Sequence, residues 1–236
     1  KVWPERIGLV SELTSLKGLA QKYRLLTLLV TVVLFLIFTT IIQLAGLGRS
    51  WLAISFFFVI VAAVNSVSDR PVLFRVALMF AILAAAPRLA RLFVDNRLVE
   101  ISAEFLGVVI LAFTTLVILR RILIESAPNF DILCGAAAVY FLIATTWAGS
   151  FQLIENIAPG SFTGLSAEQV TRWNQLVYFS LTTLTTLGYG DINPVNSFAR
   201  LWATLEAAVG VLYIAILVAR LVAMYRPDDG PNHSDR

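Results

Sequence analysis

Thr185-Thr186-Leu187-Gly188-Tyr189-Gly190-Asp191, with Pro194 close behind, is the stretch on which the reading of this chain turns. Two glycines flanking a single aromatic weaken a helix and a strand alike. Yet the apolar run 173–184 leads straight into them. That run is too short for a crossing, which takes about 20 mostly apolar residues over roughly 30 Å of hydrocarbon, and it fits a re-entrant helix. Ahead of it, residues 155–169 are polar and loop-like, with Pro159, Gly160 and Gly164. Non-helical backbone at membrane depth is tolerated only where protein buries it or where it lines an aqueous cavity. The stretch therefore demands a pore or a polar pocket. Glycine supplies backbone conformations that point successive carbonyls one way, which other L-residues resist.

Composition dictates the membrane. Of 236 residues 58% are hydrophobic and 14% charged, and the mean hydropathy is +0.83. Soluble domains run near 45–50% apolar and about 25% charged, so an ordinary water-soluble globule is excluded. Disorder is excluded by the same figures. The net charge of +3 does not indicate nucleic acid, because Lys and Arg sit in short inter-helix segments and not on one patch. A single cysteine, Cys134, closes no intrachain disulfide and, with one histidine, builds no zinc site. It reads as a small buried apolar residue. The histidine, His233, lies in the polar tail and no nucleophile–base pair is visible, so an enzyme is disfavoured. No cofactor and no organic substrate is expected.

Six spans are expected: 25–48, 51–68, 72–94, 101–119, 132–154 and 197–225. The third carries Arg75 near its start and Arg88 and Arg91 near its end; Asp131 opens the fifth; the sixth contains Arg200, Glu206 and Arg220. The first lies too far in for a cleaved signal peptide, and no small-residue cleavage pattern follows it. Residues 1–24 read as an amphipathic helix on the inner membrane surface or as a flexible basic leader. The tail, 226–236, is too short, polar and proline-broken for a folded ligand-sensing domain. With six spans and the N-terminus inside, twelve of the 18 Lys and Arg residues fall on inner segments and six on outer ones. That bias favours cytoplasmic termini. The outer cluster Arg88, Arg91, Arg97 runs against it.

Thr186-Leu187-Gly188-Tyr189-Gly190-Asp191 resembles the selectivity filter of the tetrameric potassium channel family, the type case of a carbonyl-lined filter. The resemblance covers 131–225 as span, turret, pore helix, filter and span, and Pro194, Arg200 and Gly210 fit the pattern. It implies that the carbonyls of Thr186, Leu187, Gly188 and Tyr189, with the Thr186 hydroxyl, replace the water shell of K+, the permeant ion. Four chains are then needed, because one loop supplies one oxygen per ring. The pore helix would aim its C-terminal partial negative charge at the cavity, and Asp191 would attract cations at the outer mouth. The family places a hinge glycine at Gly210. Beyond it, Ile214, Val218 and Val222 recur every fourth residue, either lining the cavity as a hydrophobic gate or as plain packing positions. Thr182, Thr185 and Glu206 are expected to support the filter.

Two departures stand out. Leu187 replaces the commoner Val, and selectivity is expected to survive because either residue presents a carbonyl. Thr182 stands where some members have a pore-helix Glu, which leaves filter inactivation open. Glu206, an acid inside a span, calls for a partner. Thr182 or Thr183 behind the pore helix is expected to supply it, whether Glu206 acts as an anchor or as a gating protonation site.

Voltage-gated relatives carry arginines at every third position of the fourth span. Here 101–119 holds no basic residue, and Arg120 and Arg121 come only at its end. The three-residue repeat Arg88, Arg91, Val94, Arg97 follows Pro87. It reads as a proline-ended third helix whose arginines snorkel to the interface, or as a displaced sensor. Arg97, Glu100 and Glu104 sit at helical contact spacing and suggest a local charge cluster. Weak voltage dependence is expected.

The sequence thus predicts an all-α membrane protein: six transmembrane helices plus a re-entrant pore helix and selectivity-filter loop, assembled as a homotetramer. Its segments are an amphipathic N-terminus (1–24), a four-helix transmembrane domain (25–124), a pore domain (125–225) and a short cytoplasmic tail (226–236). The expected function is a potassium-selective channel in a cell (plasma) membrane, prokaryotic by its compactness, with membrane lipid as its other partner. The alternatives are a weakly selective cation channel on the same pore and a non-conducting membrane subunit of a partner channel.

Overall fold

Lipid offers no partner to a backbone N–H or C=O, so long apolar segments fold as helices that close their own hydrogen bonds. The computed structural model describes residues 23–46, 48–66, 71–90, 96–124 and 129–224. Within them run seven helices: α1 Arg24–Leu44, α2 Arg49–Ser66, α3 Pro71–Ala90, α4 Arg97–Ile124, α5 Phe130–Ile157, α6 Gln169–Leu184 and α7 Ser197–Met224. Two short strands, β1 Phe162–Thr163 and β2 Asn193–Pro194, pair antiparallel across the loop that holds α6. The protein is a mostly helical, multi-pass membrane protein. Four helices are long and apolar enough to cross: α1, α4, α5 and α7 up to Arg220. The apolar stretches of α2 and α3, Ile54–Ser66 and Phe74–Pro87, are shorter. The expected N-terminal segment up to residue 22, Arg91 and the tail lie outside the described residues.

The central element is α5. It packs against α1, α4, α6 and α7, and it buries Leu142, Ala144, Ala148, Phe151 and Gln152 almost completely. Asn129 caps its N-terminus by accepting from the Ile132 N–H at 2.8 Å. Asp131, in its first turn, reaches across to α1 and accepts from the N–H groups of Leu25 and Leu26 at 3.1 and 3.0 Å. The first N–H groups of a helix have no partner within it, and a carboxylate there also meets the positive end of the helix dipole.

The same logic, reversed, accounts for three arginines at helix C-termini, where carbonyls are orphaned and the dipole favours cations. Arg97 donates to the carbonyls of Asn156 and Ile157 at the end of α5, at 3.0 and 3.3 Å. Arg121 donates to the Ser66 carbonyl at the end of α2, and Arg220 to the Ile122 carbonyl at the end of α4. Arg97, expected at the interface or in a displaced sensor, thus rests on a helix end. Pro87 does not end its helix either, since α3 continues to Ala90.

Candidate functional site: the filter loop and the helix behind it

The expected re-entrant helix is α6, and it begins earlier than the apolar run because a polar cap starts it. Glu168 accepts from the N–H groups of Val170 and Thr171 at 3.0 and 2.7 Å. The Thr171 hydroxyl and these N–H groups hold the Glu168 carboxyl below the ordinary carboxylate range. Gln169 and Arg172, polar residues of its first turn, reach Glu100 on α4 and Asn156 on α5. Asn174 donates to the Thr39 carbonyl and to Gln43 Oε1 on α1, at 2.9 and 2.8 Å. Trp173 meets Phe35 and Phe56 edge to face, at 6.4 and 6.1 Å, so α1 and α2 both press on the helix. Deeper in, Phe151, Phe162 and Phe179 form a mutual edge-to-face triangle with centroids 5.1–5.6 Å apart.

The chain leaves α6 by a sharp change of backbone. Thr185 caps the helix, its N–H bonded to the Leu181 carbonyl at 3.1 Å. Every second residue then takes a positive φ: Thr186 at 60°, Gly188 at 53° and Gly190 at 78°. For the glycines this costs little, whereas for Thr186 the left-handed conformation costs about 1–2 kcal/mol. The N–H groups of Leu187 and Gly188 both turn back to the Thr182 carbonyl, at 2.8 and 3.1 Å, and that of Thr186 to the Thr183 carbonyl at 3.0 Å. All peptide bonds here are trans, and a trans peptide sets its C=O antiparallel to its N–H. The carbonyls of Thr186 and Leu187 therefore point away from α6.

Further along, Asn193 donates to the Gly190 carbonyl at 2.6 Å, and Tyr189 stacks on Tyr178 with rings 6.1 Å apart and 6° from parallel. Asp191 is fixed by close approach: a Cβ on Gly164 would overlap the Asp191 carbonyl oxygen. Residues 185–191 are all exposed in the single chain.

The comparisons point the same way. Residues 130–226 match a family model described as an ion channel. Similar curated proteins include the inward rectifier potassium channel Kirbac3.1 of Paramagnetospirillum magnetotacticum, 33% identical over 96 residues. The potassium channel SKOR of Arabidopsis thaliana is 27% identical over 95 residues. Residues 130–226 are thus similar to ion channels, two of them named as potassium channels. The uncharacterized membrane protein YdjJ of Bacillus subtilis is 29% identical over 93 residues. These matches cover 38–40% of this chain, but only 29% of Kirbac3.1, 12% of SKOR and 26% of YdjJ. No solved structure matches.

In this ion-channel-like segment, the contact made by Thr182 comes from its backbone carbonyl, because its hydroxyl is spent on the Phe179 carbonyl within α6. Glu206 does not partner Thr182 or Thr183. It meets the hydroxyl of Ser180, which also lies 2.7 Å from the Ala144 carbonyl on α5. No spacing in the sequence singles out Ser180, because the pairing depends on how α6 and α7 are rotated against each other.

Gly210 lies one turn beyond Glu206, and a Cβ there would overlap the Leu184 carbonyl oxygen at the end of α6. Helix α7 runs unbroken through it, so the glycine here serves close approach between two helices. Ala199, Ala203, Glu206, Gly210 and Tyr213 form the buried stripe of α7, a spacing of three and four that marks one helix face. Ile214, Val218 and Val222 lie off that stripe, 49%, 53% and 68% exposed.

Proposed function

We propose that the protein is a potassium-selective channel, a homotetramer that passes K+ down its gradient across a cell membrane. The observation that carries this reading is the alternation of positive φ at Thr186, Gly188 and Gly190, with the N–H groups of Leu187 and Gly188 anchored on the Thr182 carbonyl. It lines up carbonyls on the side away from α6, where they can replace the hydration shell of a cation. Thr186, Leu187, Gly188 and Tyr189 would supply these oxygens, Thr186 adding its hydroxyl and Asp191 drawing cations to the outer mouth. One chain contributes a quarter of each ring, and the filter loop, including Leu187 (56% exposed) and Tyr189 (66%), lies uncovered in it. Three more copies around a fourfold axis would complete and cover it. In this reading α2 and α3 also cross, giving six spans with cytoplasmic termini, a four-helix domain over 25–124 and a pore domain over 125–225. Ile214, Val218 and Val222 would line the inner cavity.

The test is a reversal potential under bi-ionic conditions on the full chain in bilayers, together with a native mass in mild detergent. Strong preference for K+ over Na+ and a mass of four chains are the expected outcomes. Near-equal permeabilities would favour a weakly selective cation channel, and a stable monomer or dimer would contradict the assembly.

A further inference from the structure

Glu206 is completely buried in α7, and one of its oxygens, Oε2, has no hydrogen-bond partner. The other, Oε1, faces Ser180 Oγ on the pore helix, and Ser180 Oγ faces the Ala144 carbonyl on α5 as well. A serine hydroxyl carries one proton and can donate only once. If Ser180 donates to Glu206, a bare carboxylate is left deep in an apolar interior with one oxygen unpartnered, which is costly. If the Glu206 carboxyl donates to Ser180, and Ser180 donates on to Ala144, both protons are used and only a carbonyl-type oxygen stays unpaired. That second arrangement is a directed chain running from the inner helix through the pore helix to the outer helix.

We propose that Glu206 is a positioning residue for the filter, acting as the hydrogen-bond donor that locks α7 to α6 through Ser180. Ser180 lies half a turn before Thr182, whose carbonyl holds the N–H groups of Leu187 and Gly188. On the same stripe of α7, Gly210 bears on the Leu184 carbonyl. The inner helix therefore grips α6 at two points on either side of the Thr182 carbonyl, and a shift of α7 is passed to the filter backbone. This rests on the channel reading for its functional half only, since the direction of the hydrogen bond stands on geometry alone.

The experiment uses the full chain in liposomes. Infrared difference spectra of wild type against Glu206→Gln report whether a protonated carboxyl C=O band is lost, and bi-ionic reversal potentials report the K+/Na+ permeability ratio. Glutamine keeps a donor and an acceptor, so Glu206→Gln is expected to remove the band and hold the ratio within about twofold. Glu206→Ala and Ser180→Ala remove the link and are expected to lower the ratio by roughly five- to tenfold, the scale of one lost buried hydrogen bond. Should Glu206→Ala fail to assemble, Ser180→Ala makes the same comparison. A carboxylate signature in place of the acid band overturns the proposal, and so does a Glu206→Gln ratio as low as that of the alanine variants. Absence of K+ flux in wild type would sink the channel reading, while the infrared band would still decide which group donates.

Discussion

Replacing Gly210 by alanine sets two roles for this residue against each other. A hinge glycine weakens its helix, so alanine should stabilise α7 by the helix-propensity difference of about 1 kcal/mol. The packing of α7 on α6 predicts the opposite sign. The new methyl would overlap the Leu184 carbonyl oxygen and stand 3.0 Å from both Leu184 C and Cδ1. The carbonyl belongs to the backbone at the end of α6, which the Tyr140 hydroxyl also engages at 3.3 Å. It cannot swing aside as a flexible side chain could, so the helices must separate. Overpacking of this kind costs about 1–3 kcal/mol. Set against the propensity gain, the net is a loss of up to about 2 kcal/mol, and at about 2–4 °C per kcal/mol for a chain of this size the midpoint falls by up to about 8 °C. Thermal unfolding of the purified protein, followed by size-exclusion fluorescence, reads the shift directly. K+ flux on the same preparation shows whether the filter is disturbed with it. A rise in midpoint with unchanged flux would refute the packing argument and restore the hinge.

Other expectations follow from particular contacts. Asp131→Ala removes the cap shared by the Leu25 and Leu26 N–H groups and should cost about 0.5–2 kcal/mol, read as a lower unfolding midpoint; an unchanged midpoint would mean that water replaces the carboxylate freely. Asn174→Leu breaks both bonds from the pore helix to α1, at about 1 kcal/mol each, and the same thermal assay should show the loss. Arg97→Gln should lower stability but leave the slope of conductance against voltage as it was, because a guanidinium held on the last carbonyls of α5 moves through little of the field; a flattened slope in voltage-clamped bilayers would make Arg97 a sensor. Glu168 has a folded-state pKa below its unfolded value, so its stabilising effect is complete above the unfolded pKa, about 4.3, and fades as pH falls through the folded value. Glu168→Gln should therefore flatten the acid limb of the stability profile, and an unaltered limb would show that the cap does not titrate there.

The break in regular backbone after α6 was legible because its requirement is local. Glycines at 188 and 190 after a short apolar run can be read without knowing what surrounds them. Helix existence was legible for the same reason, while helix ends were not. α4 extends past both of its expected ends because Arg97, at its start, and Arg121, in its last turn, find carbonyls on neighbouring helices. α6 starts earlier because the polar residues Gln169 and Arg172 have partners on α4 and α5. Such partners are set by packing between segments far apart in the chain, and no spacing rule encodes them. The positive φ of Thr186 was hidden too, since a threonine gives no sign that it will accept a conformation usually left to glycine.

The alternation of φ through the loop divides its residues by what selects them. At 188 and 190 the backbone itself dictates glycine, and evolution has little to choose from. Leu187 answers to its neighbours instead: it lines a cavity of about 330 Å³ together with Leu36, Thr39 and Thr40 of α1. Part of what it must fit is thus α1 of the same chain. Among relatives that share the arrangement, substitutions at the Leu187 position should drift in step with those at Leu36 and Thr39.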